Sequence, residues 1–427
     1  MKFTKLATVA LTTLAVSAPV VADLMFPSLS YRTGAYAAGG APWADGYADF
    51  FTLLNERDGG IGGAKIVLEE CETGFSTPKG VECYEATKND GALLYQPLST
   101  GMTYQLIPKA TADGIPILTS GYGRTAASDG TVFPWVFNFP TNYWAGASRI
   151  VNHILDNNEG SLEGKSIALL YHNSGYGKEP IRTLEALAEK HGFALTLLPV
   201  DHPGQEQKSQ WLQIRRERPD FLLMWGWGVM NQVAMQEASN IRYPMDNFYG
   251  IWWSGTEIDV LPGMASHGYK AANFSVVGSD FPIYEDLQKH VIGKGLAAGT
   301  GAGVGSVIYN RGLYAGMVAA EAVRNAQSIH GVADITASMM RDGLDSLNMD
   351  SAAYARNGMS GFGPDFAITC ENHGGNGMAM IQQWDGNTQK WNMISGFEAP
   401  DMDLIAPLIK ADAEAYAAEN NITPRDC

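Results

Sequence analysis

A chain of 427 residues with 45% apolar side chains is long enough for two full cores, and 29 basic against 45 acidic residues leave it at −16. That field repels nucleic acid and anionic lipid, so neither is an expected partner. Four cysteines, with no CxxC pair and no histidine at zinc-ligand spacing, argue against a zinc module and point to disulfides in an oxidising compartment.

Lys2 and Lys5 open the chain, an apolar run follows from about Leu6 to Val16, and Pro19 precedes Val20-Val21-Ala22. Charged, then apolar, then small residues is the order of a secretory signal peptide, and the run is shorter than the roughly 18 residues a bilayer span needs. Residues 1–22 are therefore expected to be removed. What remains is a soluble, exported chain of 405 residues from Asp23, with net charge −18 because Lys2 and Lys5 go with the leader. No cysteine precedes Cys71, so none stands at the cleavage point to carry a lipid.

Strand-like runs and amphipathic helix patterns then alternate. Leu24 to Leu29 reads as a strand; Trp43, Tyr47, Phe50, Phe51 and Leu54 recur at helical spacing until Gly59-Gly60-Ile61-Gly62-Gly63. Ile66 to Leu68, Leu93 to Tyr95 and Ile115 to Leu118 continue as strands, with helices over Val81 to Thr87 and around Ile107 to Ala112. Cys71 and Cys83 flank the Gly74-to-Gly80 turn, and of the three possible pairings this local one closes most easily; it leaves Cys370 with Cys427.

Asn138-Phe139-Pro140-Thr141-Asn142 breaks the series, and a helix from Trp144 to Leu155 opens a second one. Its strands are Ile167 to Tyr171, Leu195 to Val200, Phe221 to Trp225 and Phe248 to Trp252. Its helices follow Ile181 to Ala188, Lys208 to Arg216 and Val233 to Ala238. Phe274 to Val277 is a return segment, Tyr309 to Ala326 a strong helix, and the tail carries short strands at Phe366 to Thr369, Met378 to Trp384 and Trp391 to Ile394. Two windings of strand and helix imply two parallel sheets covered by helices.

No catalytic motif emerges: there is no GxSxG elbow, HExxH pair or EF-hand loop, and Gly299 to Gly305 lacks both GxGxxG spacing and a Walker lysine. His172 ends a strand, but a lone histidine there reads as a hydrogen-bonded loop residue. An exported hydrolase therefore has no support. What gathers at the strand ends is aromatic and small: Tyr31 and Tyr36; Ser99 and Thr100; Ser120, Gly121, Tyr122 and Arg124; Tyr176; Trp225 and Trp227; Trp252 and Trp253. Strand C-terminal ends are where doubly wound sheets bind ligands. Hydroxyls and backbone N–H groups there hold a polar head, and aromatic faces cover an apolar body.

Several of these residues carry a resemblance. Thr33-Gly34, the helix ending at Asn55, the Gly59-to-Gly63 run, Ser99-Thr100, Gly114-Ile115-Pro116 leading to Ser120-Gly121, and Tyr176-Gly177 stand in an order similar to the periplasmic binding proteins of ABC importers. The chain resembles the branched-chain amino acid (leucine/isoleucine/valine) type over nearly its whole mature length. The resemblance implies a type I periplasmic binding protein: an α/β fold of two Rossmann-like lobes joined by three crossovers, without a cofactor. It implies a periplasmic monomer that hands a small solute to a permease. The break at Pro140 and the return near Val277 place lobe one at 23–139 plus 279–358 and lobe two at 141–277 plus 359–427. By position, Thr100 or Ser99 would hold a ligand carboxylate, Ser120 to Gly123 would add backbone contacts, and Tyr176 and the Trp225-to-Trp227 segment would face them. One place departs. Members that bind α-amino acids carry an acid where Trp252 or Trp253 stands here, and the nearest acids are Glu257 and Asp259. A ligand sensor of the same fold is the alternative reading; no appended DNA-binding or kinase segment accompanies it.

Overall fold

The computed structural model describes residues 22–427; the expected leader lies, but for Ala22, outside the described residues. Two sheets form, the first parallel and the second mixed where the sequence reading expects both parallel, each from the runs that the sequence marks as apolar. In the first, Leu24–Ser30 pairs in parallel with Ile66–Glu72 on one side. Residues 92–96 lie on its other side and bridge it, through Tyr95, to Ile117–Ser120. That strand pairs with Val136–Phe139. Leu24–Ser30 is central and buried at six of its seven positions, which is why it reads as an almost unbroken apolar run.

The second sheet has seven strands. Ala194–Val200, Ser166–His172, Phe221–Trp225, Phe248–Gly250 and Lys270–Asn273 lie side by side in parallel. Met380–Asp385 and Lys390–Met393 then add an antiparallel edge. The return segment thus enters the sheet four residues earlier than expected. Phe274, at the head of the expected strand, instead packs edge-on against Trp252.

Helices begin where side chains can satisfy free amides. Asn142 caps Tyr143–Asp156 by accepting from the Ala145 N–H, and Ser306 caps Val307–His330 by accepting from the Tyr309 N–H. Val307–His330 is apolar almost all round because it is covered on more than one side, by Ala37–Arg57 and by Ala337–Asp345. Its crossing with Ala37–Arg57 is backbone to backbone: a Cβ on Gly312 would lie 2.1 Å from the Trp43 carbonyl oxygen, and one on Gly46 2.2 Å from that of Tyr309.

The tail is shared between the halves. Phe366–Ala367 pairs with Asn348–Met349, and His373 stacks on Phe137 and hydrogen-bonds the Val136 carbonyl. These residues sit on the first half, although the sequence reading places everything after 358 on the second. The chain changes sides at Gly377, whose N–H donates to the Pro140 carbonyl and whose own carbonyl accepts from Thr141. Met402–Asn420, a helix the sequence reading did not pick out, then crosses back. At its start the Asp401 N–H donates to Ser148 and its carboxylate pairs with Lys190; at its end Tyr416 stacks on Phe133. Both disulfides, Cys71–Cys83 and Cys370–Cys427, are formed.

The helix crossing yields a test. Gly312→Ala forces a methyl group into the Trp43 carbonyl, so it should cost about 1–3 kcal/mol of stability. Thermal or urea unfolding reads this directly, and an unchanged midpoint would show that the helices separate easily.

Candidate functional site

The C-terminal ends of the two sheets face each other, and the loops leaving them enclose a cavity. From the first half come Tyr31 and Phe75, each just beyond a strand, then Leu98, Ser99 and Thr100 at the start of Thr100–Asp113, and Tyr122. From the second half come Tyr143, Tyr176, Trp227 and Trp253. Including the open space at the cleft mouth, about 290 Å³ between these residues is free of protein atoms.

The rings are set edge to face. Trp227 and Trp253 stand 5.4 Å apart at 83°, Tyr31 and Trp227 6.4 Å at 86°, and Tyr122 and Trp253 5.9 Å at 66°. This is the arrangement aromatic quadrupoles favour, and it makes walls facing inward from several directions. Burial pushes the Tyr122, Tyr143 and Tyr176 hydroxyls well above their ordinary pKa, so all three remain neutral donors.

The halves are closed on each other. The Gly121 carbonyl accepts from the indole N–H of Trp252 at 2.6 Å and of Trp253 at 3.2 Å. Gly121 holds φ at +66°, a backbone region that favours glycine, and a Cβ there would meet the Phe274 ring at 2.7 Å. Tyr143 reaches the Thr100 hydroxyl at 3.3 Å. Beside the cavity, buried Glu179 accepts from the Thr125 hydroxyl at 2.6 Å and from Tyr104. Burial raises the Glu179 pKa against the pull of these donors.

Six of the twelve expected site residues line the cavity: Ser99, Thr100, Tyr122, Tyr176, Trp227 and Trp253. The others stand behind or beside it. Trp252 stacks on Tyr143 at 5.9 Å and 12°, and Trp225 is wholly buried against the same ring. Gly121 contributes its carbonyl to closure, and Ser120 is buried at the strand end with its hydroxyl unpartnered. Arg124 is drawn away from the expected wall because Asp412 pairs with its guanidinium at 2.7 Å and Tyr416 stacks on it at 4.6 Å. Tyr36 lies at the rim, its hydroxyl 2.9 Å from His172 Nε2 and 2.6 Å from His202 Nδ1.

Phe75, Leu98 and Tyr143 line the cavity without having been singled out, and Tyr31 was noted only among the loop aromatics. Phe75 follows a strand just as the chosen aromatics do, so the same rule would have found it. Tyr143 opens a helix immediately after the Pro140 break, where no strand end marks it. The two acids nearest the tryptophans are engaged elsewhere. Asp259 accepts from Asn231 and Thr256, and Glu257 from the Val307 N–H. Burial lifts Asp259 to about 6.

With this geometry in view, the comparison with known proteins is decisive. The periplasmic binding protein model matches residues 26–389. The chain belongs to that family. Members of that family are binding proteins, not enzymes. A Pseudomonas fluorescens group structure described as an ABC transporter permease is 41% identical, with a TM-score of 0.87, over 95% of this chain and 99% of that one. A branched-chain amino acid ABC transporter structure from Thermus thermophilus with bound valine is 19% identical, TM-score 0.75, over 89% and 97% of the two chains. A solute-binding protein from R. palustris in complex with benzoate is 15% identical, TM-score 0.67, over 88% and 97%. No curated protein matches. Among the described residues no helix is long and apolar enough to cross a membrane.

The rim cluster sets a pH dependence. Burial, reinforced by His202 4.0 Å away, pushes His172 down to about 3, and burial also lowers His202; Asp201 opposes both. A depressed histidine contributes its stability fully above the ordinary value near 6.5 and loses it as pH falls toward 3, a loss on the order of 2 kcal/mol by pH 5. Buried acids such as Asp259 act in the opposite sense, so the effect is isolated by comparison. The fall in melting temperature between pH 7 and pH 5 should be smaller in His172→Gln than in the parent; equal falls would remove His172 as the source.

Proposed function

We propose that the protein captures a small organic solute (amino acid-like, amide or aromatic carboxylate) in the cleft between two lobes and delivers it to the membrane permease of an ABC importer. It would work in the periplasm as a monomer, exported by its leader. The observation that carries this reading is the aromatic cavity between the C-terminal ends of two sheets, closed by hydrogen bonds from one half to the other. Closure needs no chemistry, only better contacts in the closed state than in the open one. The valine-bound and benzoate-bound relatives support a solute of that size. The lobes would be close to 23–139 plus 279–358 and 141–277 plus the rest, with the 366–376 stretch travelling with the first because of its contacts there.

A thermal-shift screen over amino acids, amides and aromatic acids tests the proposal, since a solute at about 100 times its dissociation constant adds about 2.7 kcal/mol. Trp253→Ala should weaken binding of any solute so found by at least about 1 kcal/mol, roughly fivefold, with cooperative unfolding retained. Full affinity in that variant would place Trp253 outside the ligand's reach.

A further inference from the structure

The polar groups around the cavity are unevenly matched. Two carbonyls just behind the wall are already engaged: that of Gly121 takes two indole N–H groups, and that of Gly226 accepts the Tyr176 hydroxyl at 3.0 Å. No carboxylate is among the ten lining residues. The surplus is on the donor side. Trp227 lines the cavity, is 3% exposed, and its indole N–H meets no acceptor in good hydrogen-bond geometry, the Tyr31 hydroxyl beside it included. An indole N–H only donates. Buried and unmatched, it has given up its water for nothing, so a ligand acceptor is the natural partner.

The surrounding charge has a sign as well. Arg311, wholly buried, lies with its guanidinium 5.4 Å from the Trp253 ring and is held by the Trp252 carbonyl and Asn273. At the other end the helix Thr100–Asp113 starts at the cavity with Ser99 as its cap, presenting the positive end of its dipole. The helix end opposes a cation, while the charge of Arg311 is met in part by the buried carboxylates of Asp259 and Glu257. An ammonium enclosed here would lose its water with no lining carboxylate to replace it, since Glu179 and Asp259 stand behind the wall and are taken up by Thr125 and Tyr104 and by Asn231 and Thr256.

We propose that the solute is a compact acceptor-only acid, a 2-oxo acid with a branched or aromatic side chain, rather than an amino acid. Its carboxylate lies at Ser99 and Thr100, its side chain lies among the aromatic rings, and its oxo oxygen accepts from Trp227 where an amino acid would place a donor. This rests on the solute-binding reading above and narrows it.

Isothermal calorimetry and thermal shift with matched carbon skeletons test it: 3-methyl-2-oxobutanoate against valine, phenylpyruvate against phenylalanine, with benzamide and benzylamine as further probes. The oxo acids should bind at least about 100-fold more tightly than the amino acids of the same skeleton. Trp227→Phe should weaken the oxo acids by roughly three- to tenfold. Tyr143→Phe, which keeps the ring and leaves the indole in place, should preserve the preference for oxo acid over amino acid; its loss there would overturn the role given to Trp227. Should valine, phenylalanine, benzamide or benzylamine bind as well as the oxo acids, the acceptor-only class fails while solute binding stands. If none of the six probes shifts the melting temperature, the oxo-acid proposal fails; the solute-binding reading fails with it only when the broader screen over amino acids, amides and aromatic acids is silent too.

Discussion

One carbonyl ties the two halves together. Gly121 leaves its strand with positive φ and offers its oxygen to two consecutive indoles of the opposite half, Trp252 and Trp253. The two tryptophans are placed by this contact. Trp252 stays behind the wall, stacked on Tyr143, and Trp253 stands at the front against Tyr122 and Trp227. A side chain at 121 would meet the Phe274 ring and hold the halves apart.

The closed cleft uses few charges. Its cross-cleft contacts are aromatic edges, hydroxyls and indole donors, and each edge-to-face pair contributes only about 0.5–1.5 kcal/mol beyond its buried area. A set of modest, direction-sensitive contacts lets closure be favourable without being permanent. The ionic exceptions are kept out of the cavity: Arg124 is matched by Asp412, and Arg311 sits behind an indole.

The fold was legible because each sheet is built of apolar runs separated by helical periodicity, and the break at Pro140 divides the two windings. Half of the candidate site was legible by one rule, that strand ends face the ligand. The rule led to Tyr176, Trp227 and Trp253, which line the cavity. It could not tell Trp253 from Trp252, since only the short turn at Trp252–Ser254 decides which of two adjacent indoles looks inward. It overreached at Arg124, because the carboxylate that turns this side chain away lies 288 residues further along. Nor did it reveal the Met402–Asn420 helix, whose buried face is only Ile405, Ala413 and Ala417 and whose interior holds Pro407.

That last helix changes the mechanics of the molecule. A clasp with three connecting strands swings about them freely; here a fourth member spans the back of the joint. Its start is moored to Ser148 and Lys190, and its far end is fixed by Tyr416 on Phe133, by Arg425 on Asp345, and by the Cys370–Cys427 bond. Under the proposed solute capture, opening would have to bend this member or slide it along its moorings, which would add an elastic cost to the open form. A larger closed-competent fraction tightens apparent affinity in proportion. The mooring of this helix would then help set the grip of the cleft.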